Sequence, residues 1–304
     1  MKKLAYLQRT RKAIRHAANL PETLEQQKLM LGRLLCETVS SKSTIASLHE
    51  VEFSCFSQFG DDGIIQWLLR QLDFPYPTFI EFGVGNYRES NTRFLLMNDN
   101  WSGYVMDGSS QNVHDIIHSE YYWKYDLTAR SAFIHCDNIR ELIAESDFDP
   151  EIGFLHIDLD GNDYWIWECL EHVHPVVMIV EYNSLFDSDR PITVPYSPSF
   201  RRDQAHVSHL YFGASLAAFD ELAKARGYVF VGCNAAGNNA YFVRRDKVHE
   251  RIPQPSISAG FVRGKFRDQR DERGRLVYAT FEQRVACLRG LPVWNVKTGR
   301  QETF

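Results

Sequence analysis

Short apolar runs and longer helical stripes alternate along the middle of this chain. Apolar runs at Phe79–Phe82, Trp101–Asp107, Gly153–Ile157 and Val176–Val180 have the length and the polar flanks of buried strands. Between them, apolar residues recur at helical spacing, and the clearest such stripe, Phe56–Leu72, precedes the first strand. Strands that alternate with helices are typical of parallel βαβ units. The pattern therefore predicts an α/β fold of the Rossmann-like type, built on a mostly parallel sheet.

Further elements complete the predicted sheet. Phe133–Cys136 is expected to be a short third strand, followed by a helix at Ile139–Glu145. After a helix at Phe212–Arg226, two apolar runs are expected to pair as an antiparallel hairpin at one edge of the sheet. The expected domains are an N-terminal helical extension at 1–50 that packs on the core or on a second subunit, a ligand-binding domain at 51–245, and a tail at 246–304 that caps the site or contacts another subunit.

Composition narrows the class of protein without indicating a reaction. The 304 residues carry a net charge of −5, so no basic field argues for nucleic-acid binding. The six cysteines include no C-x-x-C pair, which disfavours structural zinc and a disulfide framework. No apolar run approaches the roughly 20 residues of a membrane span. We therefore expect a cytoplasmic protein, in which residues 1–20 form a solvated basic helix rather than a membrane-surface helix.

The most informative stretch is Thr78–Asn91, TFIEFGVGNYRESN. A strand that ends in a glycine turn lets a ligand approach the backbone, because Gly83 and Gly85 carry no Cβ. The helix expected from Asn91 onward directs backbone N–H groups at such a ligand. Asp107 ends the second predicted strand, where a carboxylate can accept the hydroxyls of a ribose. A dinucleotide and S-adenosylmethionine (SAM) both fit this layout.

The glycine spacing separates these two ligands. The dinucleotide fingerprint needs a third small residue, and the bulky Arg88 stands at that position. The acid-x-Gly-x-Gly order that begins at Glu81 instead resembles motif I of class I SAM-dependent methyltransferases. Ser109, in the polar loop after the second strand, is a further candidate for cofactor binding. Asp137 and Asn138 can meet the edge of an adenine ring or simply cap the helix that follows.

Acidic side chains end most of the predicted strands. Asp158 ends the fourth strand and Glu181 the fifth, and Asn183 adds a neutral oxygen nearby. Because clustered carboxylates repel one another, a metal ion bound by these three residues is one explanation for the pattern. An all-oxygen ligand set suits Mg²⁺ or Mn²⁺ better than zinc. In the alternative interpretation, Asp160 and Asp163 only make turn hydrogen bonds in the DGND loop.

Three histidines are candidates for the group that accepts a proton. His156 lies two residues before Asp158 on the fourth strand and therefore points to the same side. A histidine inside an apolar strand is more often a core residue than a base. His206 and His209 follow a long Pro-rich segment and share one face if that segment is helical. The candidates for a catalytic function are therefore Asp158, Asp160, His156, His206 and His209.

Taken together, several motifs resemble a bacterial family of SAM-dependent methyltransferases related to the FkbM-like O-methyltransferases. The resemblance covers about residues 54–245 and includes SQFGDDGIIQWLL, FIEFGVGN, DGSS, HIDLDGNDYWIW, VVMIVEYNSLF and GCNAAGNNAYFVR. It implies a class I methyltransferase fold in which Glu81, Gly83 and Gly85 hold SAM and Asp107 lies at the ribose. Tyr87 departs from the family pattern, which usually has another glycine there.

The resemblance also implies a position for a metal and a reaction. Metal-dependent O-methyltransferases have an acid after the fourth strand and an acid–polar group after the fifth, as Asp158, Glu181 and Asn183 are here. The leading hypothesis is a SAM-dependent O-methyltransferase that acts on a sugar, a surface glycan or a secondary-metabolite acceptor. A nicotinamide-dependent oxidoreductase and a non-catalytic scaffold remain as alternatives. We expect no nucleic-acid partner and consider a homo-oligomer possible.

Overall fold

The computed structural model describes residues 23–304, so the expected basic helix at 1–20 lies outside the described residues. Within these residues ten strands form two sheets. The strands arise where apolar and β-branched residues occur in short runs bounded by turns. The strands are β1 Thr78–Phe82, β2 Ser102–Asp107, β3 Leu127–Ser131, β4 Phe154–Ile157, β5 Val177–Glu181, β6 Ile192–Thr193, β7 Tyr228–Cys233, β8 Asn239–Arg244, β9 Pro292–Asn295 and β10 Arg300–Thr303.

The larger sheet confirms the fold class that the sequence predicts. Its strand order is β3-β2-β1-β4-β5-β8-β7. The first five strands are parallel, and β8 runs antiparallel to both of its neighbours, which makes β7–β8 the predicted hairpin at one edge. The chain reverses its direction of winding between β1 and β4, so a crevice opens beyond the carboxyl ends of these two strands. The smaller sheet is antiparallel and joins β6 to β9 and β10.

Helices cover both faces of the large sheet. Neighbouring residues of β1 show why, since Phe79 and Ile80 point to opposite faces and each is fully buried in a separate apolar cluster. The α-helices are α1 at 23–40, α2 Asp61–Gln71, α3 Arg93–Asp99, α4 Ser110–Ile117, α5 Ile139–Ala144, α6 Asp163–Cys169, α7 Arg202–Ala205, α8 Leu216–Ala225, α9 Ile257–Gly260 and α10 Phe281–Leu288. Three short 3₁₀ helices span Leu48–Val51, Ser184–Phe186 and Arg245–Lys247.

The third strand is the clearest error of the sequence prediction. The strand lies at Leu127–Ser131, and the predicted segment Phe133–Cys136 follows it as a loop. As the edge strand of the sheet, β3 alternates between buried and exposed positions and has the polar sequence LTARS. The two apolar residues that suggested a strand, Phe133 and Ile134, instead lie beyond its carboxyl end.

In the described part of the N-terminal extension, residues 23–40 form helix α1 and residues 41–47 form turns and bends. Helix α1 packs one face against the large domain through Gly32, Cys36 and Val39, which are buried. Gly32 is required by close packing, because a Cβ at this position would lie 2.5 Å from the Phe94 ring. Among residues 23–304, no helix is both long enough and apolar enough to cross a membrane.

Candidate functional site

A cavity of about 900 Å³ opens at the carboxyl ends of β1, β2, β4 and β5. This volume is within the range of roughly 300–1,000 Å³ that small-molecule sites occupy. Gly83, Gly85 and Glu181 line it, together with residues 106–109, 132–134, 158–160, 200–202 and 266–268. A smaller cavity of about 490 Å³ adjoins it behind the glycine turn. The strand ends that the sequence singled out therefore meet at one cavity.

Backbone geometry explains both glycines of the turn. Gly83 has φ +73°, and a Cβ on it would lie 1.6 Å from the carbonyl oxygen of Asp158, so only glycine lets the ends of β1 and β4 meet. Gly85 has φ +54°, and nothing lies within 4 Å of its Cβ position. Its N–H donates to Asp107 Oδ2 at 2.8 Å. The turn thus exposes its backbone to the cavity.

Tyr87 takes the conformation of the glycine that usually occupies its position. Its φ is +61°, in the left-handed region. The side chain is fully buried, with the hydroxyl 2.9 Å from Thr92 Oγ1 and the ring packed against Tyr121. These contacts offset the steric cost of the left-handed backbone. Tyr87 therefore adopts at this position the left-handed backbone that a glycine adopts more readily.

Glu81 holds the turn together. Its Oε2 accepts hydrogen bonds from Ser90 Oγ at 2.6 Å and from both the backbone N–H and the hydroxyl of Thr92. Its Oε1 accepts from the backbone N–H of Asn91 and from His156 Nδ1 at 2.9 Å. Glu81 lines the smaller cavity, not the main one, with both carboxylate oxygens occupied, so direct binding of the cofactor by Glu81 stays a prediction. Asn91, also predicted to bind the cofactor, is buried with its amide 3.3 Å from the His156 ring.

His156 belongs to the same buried network. It lies opposite Glu81 in the register of β1 and β4. Burial alone would lower the pKa of His156, but the hydrogen bond and the charge of Glu81 raise it. Burial would likewise raise the pKa of Glu81, and its bonds to His156, Ser90 and Thr92 lower it instead. The two residues form a buried ion pair, so a protonated His156 is not the free base that the sequence offered as one candidate.

Asp107 lies where predicted, but fewer of its hydrogen-bond acceptor positions are free than expected. Its Oδ1 accepts from Ser109 N at 2.8 Å and from Asn112 Nδ2 at 2.9 Å, while Oδ2 accepts from Gly85 N. A carboxylate has about four acceptor positions, so one remains, on Oδ2. Asp107 can therefore accept one ribose hydroxyl rather than both. Ser109 lines the cavity as well, and its own hydroxyl caps α4 by accepting from Asn112 N.

The residues predicted at an adenine edge do not line the cavity. Asn138 accepts from His135 N at 2.9 Å and donates to the Phe133 carbonyl, so it closes the turn before α5. Asp137 is exposed on the outside of that turn, 3.7 Å from His135 Nδ1. In their place Phe133 lines the cavity, with 45% of its surface exposed. This ring is the flat apolar surface on which a nucleobase can stack.

Three carboxylates meet on the floor of the cavity. One oxygen each of Asp158, Asp160 and Glu181 lies within 4.8 Å of the others. Glu181 is buried, and its Oε2 has no hydrogen-bond partner among residues 23–304. Burial and the nearby Asp160 raise the pKa of Asp158 to about 7, and burial and Asp158 raise the pKa of Glu181. Such a group of crowded oxygens favours a cation between them.

Asn183 does not belong to this cluster, in contrast to the prediction. Its amide donates to the carbonyls of Leu210 and Phe212, and its oxygen accepts from Leu185 N. It therefore fixes the segment that returns towards α8, and Asp160 takes the third acidic position. Asp163 accepts from the backbone of Leu159 and Gly161, so the turn interpretation is correct for it. Asp160, by contrast, has φ +54° and an exposed side chain at the cavity.

The segment that follows β6 brings an arginine to the acids. Arg202 NH1 donates to Asp160 Oδ1 at 2.6 Å, and NH2 lies 3.6 Å from Asp268 Oδ2. Its guanidinium also stacks 3.8 Å from the centre of the Phe212 ring. Arg202 thus joins the floor of the cavity to the C-terminal tail. Nothing in the local sequence marked this residue, because its partners come from distant segments.

The two loop histidines lie outside the main cavity. Helix α7 ends at Ala205, so His206 and His209 are not on a shared helical face. His206 Nδ1 contacts Ser208 Oγ at 2.7 Å, and His209 adopts φ +58° with its carbonyl bonded to Arg202. His209 lines an adjoining cavity that Asp160 also lines. The geometry therefore gives no support to the predicted function of His206 as a proton acceptor, and that of His209 stays a prediction.

Comparisons with known proteins give only distant similarity. No protein-family model matches the chain, and no curated protein matches it. It is similar to an O-methyltransferase family protein from Burkholderia thailandensis, at 10% identity and TM-score 0.39, over 62% of this chain and 60% of that one. It is also similar to the O-methyltransferase from Bacillus cereus in complex with SAH, at 12% identity and TM-score 0.37, over 71% and 89%. At these TM-scores the similarity says nothing about the reaction or the substrate.

Proposed function

We propose that this protein is a SAM-dependent O-methyltransferase that acts on a hydroxyl of a sugar, a surface glycan or a secondary-metabolite acceptor. One observation carries the proposal: a single cavity joins the Gly83–Gly85 turn and Asp107 to three crowded carboxylates at neighbouring strand ends. The first group suits a nucleoside ligand, and the second suits a hydroxyl that must lose a proton. SAM supplies the electrophilic methyl group when it is bound.

The chain's own residues have separate tasks in this proposal. The backbone of Gly83 and Gly85 lies against the cofactor, Asp107 accepts one ribose hydroxyl, and Phe133 stacks on the base. Glu81 and His156 are positioning residues, because they fix the turn without facing the main cavity. When no ion occupies the acidic cluster, Asp158 is the group best suited to take the proton of the acceptor hydroxyl, since its raised pKa of about 7 is close to neutral pH.

The acidic cluster also fits a divalent cation. Asp158, Asp160 and Glu181 offer only oxygen ligands, and the buried Glu181 Oε2 lacks any other partner in the described part of the chain. Oxygen ligands of this kind suit Mg²⁺ or Mn²⁺. We propose that these three residues hold the ion, with Asp160 released from Arg202. A cation bound there lowers the pKa of an acceptor hydroxyl.

Calorimetric titration tests the cofactor. SAM and NAD are titrated separately into the purified full chain, with and without Mg²⁺. We expect micromolar binding of SAM, none of NAD, and at least about tenfold weaker SAM binding in Asp107→Ala, since a hydrogen bond to a charged group is lost. Asp137→Ala, an exposed acid outside the cavity, is the control. Binding of NAD, or no effect of Asp107→Ala, would contradict the proposal.

Titration with Mn²⁺ alone tests the cation site independently of activity. We expect Asp158→Asn and Glu181→Gln each to weaken Mn²⁺ binding by about tenfold or more, because each removes one charged ligand. Asp163→Asn is unsuitable as a control because that side chain closes the turn, so Asp137→Asn serves instead. Equal Mn²⁺ affinity in all four proteins would reject the ion and leave Asp158 as a metal-independent base.

A further inference from the structure

The main cavity continues outward into a second one of about 610 Å³. The two share lining residues from four segments, among them Phe133, Asp160, Phe200 and Arg267. Asp160 of the acidic floor and Arg267 line both cavities, and Arg270 lines the outer one. The tail segment therefore brings two arginines to the outer part of the groove, next to its acidic floor.

Arg267 and Arg270 have no carboxylate partner among residues 23–304. Arg267 donates to the Leu276 carbonyl and lies 3.8 Å from the centre of the Tyr278 ring. Arg270 donates to the Gly274 carbonyl at 3.2 Å. Neither has a carboxylate within 4.0 Å among residues 23–304, so backbone and aromatic contacts hold both guanidiniums without cancelling their charge.

The other two arginines that line the groove, Arg201 and Arg202, are each paired with carboxylates. Arg201 contacts Asp203 and Arg275 contacts Asp271, while Arg202 contacts both Asp160 and Asp268. Asp268 reaches the groove too, but Arg202 and Arg284 already share it. The guanidiniums of Arg267 and Arg270 therefore remain without a carboxylate in the outer cavity. Two such groups suit a carboxylate or a phosphate group of a ligand.

Apolar surface lies in the same outer cavity as the two arginines. Leu276 is 41% exposed and lines this cavity with Phe200. Apolar side chains of this kind suit the face of a sugar ring, while the charged groups fix its orientation. A neutral acceptor would use the ring contacts and leave both arginines without a partner.

We propose that the acceptor is an anionic sugar whose carboxylate or phosphate group binds Arg267 and Arg270, while one of its hydroxyls reaches the acidic floor. The inference rests on the proposed function, because that function places the reacting hydroxyl at the floor. It narrows the acceptor class from polyhydroxylated compounds in general to uronic acids or sugar phosphates.

Binding of three probes to the full chain tests this proposal. Glucuronate, glucose 1-phosphate and glucose are titrated into the wild type, Arg267→Gln/Arg270→Gln and the control Arg273→Gln. Arg273 is an exposed arginine of the same segment that does not line the groove. We expect at least one anion to bind the wild type and the control about tenfold more tightly than glucose, as a charge-assisted hydrogen bond provides. The double variant loses this preference.

The outcomes separate the two proposals. The anion that binds identifies the acceptor as a uronic acid or a sugar phosphate. If neither anion binds better than glucose, or if the preference survives in the double variant, the inference is overturned. SAM is titrated into the same three proteins, and we expect equal affinity in all of them. Anion binding without SAM binding would refute the methyltransferase proposal and keep the anion site.

Discussion

At the residue scale, the acids of the site differ in how the chain satisfies them. All four acids lie near the carboxyl ends of neighbouring strands. The carboxylates of Glu81 and Asp163 are occupied by hydrogen bonds from the chain. Glu181 keeps one buried oxygen without a hydrogen-bond partner among residues 23–304, and Asp158 is crowded against Asp160 and Glu181. Satisfied acids hold structure together, whereas unsatisfied ones are costly unless a ligand joins them.

Asp158 should therefore destabilise the ligand-free protein at neutral pH. Burial and Asp160 raise its pKa to about 7, well above the roughly 3.9 of an unfolded aspartate. Its stabilising contribution is complete below about pH 4 and is lost as the pH rises through about 7. We predict that Asp158→Asn unfolds at a higher temperature than the wild type at pH 8, by about 1–3 kcal/mol in free energy, and that the gain largely disappears at pH 4.5.

Thermal unfolding in chelator at the two pH values measures this difference. Asp137→Asn changes the same net charge at an exposed position and should shift neither curve by more than about 0.5 kcal/mol. An Asp158→Asn protein that is less stable than the wild type at pH 8 would mean that the carboxylate makes a favourable contact in the free protein.

At the element scale, strand ends were predictable and loop contributions were not. Gly83, Asp107 and Asp158 follow apolar runs, and the carboxyl ends of parallel strands meet at one edge of a sheet, so their convergence follows from local pattern. Arg202 and Arg267 lie in segments without periodicity, and only tertiary folding brings them to the cavity. Side-chain direction beyond a strand end is equally unconstrained by the two-residue period of the strand.

The same dependence on tertiary contacts explains two predictions that were wrong, those for Asn183 and for the third strand. Asn183 points away from the cavity because its amide binds Leu210 and Phe212, partners that follow a long irregular segment. The edge strand Leu127–Ser131 lacks an apolar run because half of its positions face outward. Both errors arise where the neighbours of a residue, rather than its own sequence window, decide its environment.

The loop between β1 and α3 depends on one buried carboxylate. Glu81 gathers Ser90, Asn91 and Thr92 against His156, and this network sets the path of the glycine turn. We predict that Glu81→Gln lowers the free energy of unfolding by about 3 kcal/mol or more, because it leaves His156 buried without its counter-charge. It should also weaken SAM binding, through the displaced turn.

Denaturant unfolding of a double-mutant cycle checks that explanation. The variants are Glu81→Gln, His156→Gln and the two combined. We expect the double variant to lose clearly less than the sum of the single losses, since each single change leaves one buried partner unmatched. Additive losses would show that the two side chains stabilise the loop independently.

At the scale of the whole molecule, helix α1 presents a second apolar face that residues 23–304 do not cover. Its exposed large side chains are Leu24 (51% exposed), Met30 (64%), Leu31 (61%), Leu34 (64%) and Leu35 (42%). At 100° per residue they share one arc that contains no charged residue. Large contiguous apolar patches of this kind mark interaction surfaces.

We infer that the partner is a second copy of this chain. Leu24, Leu31 and Leu34 follow the seven- and three-residue spacing with which helices pair in coiled coils. The charges elsewhere on α1 balance, with Glu25 and Glu37 against Lys28 and Arg33, so the helix does not have the basic face that anionic lipid surfaces attract. An uncharged stripe of leucines is complementary to itself, as a two-fold contact requires.

Sedimentation velocity at micromolar concentrations tests this prediction. We expect a dimeric wild type and a monomeric Leu31→Glu/Leu34→Glu variant with unchanged unfolding temperature, because exposed helix positions tolerate charge. Lys28→Glu, outside the arc on the same helix, should remain dimeric. A monomeric wild type that sediments with anionic vesicles would instead assign this face to a membrane surface. A dimer that survives the double substitution would place the contact elsewhere on the chain.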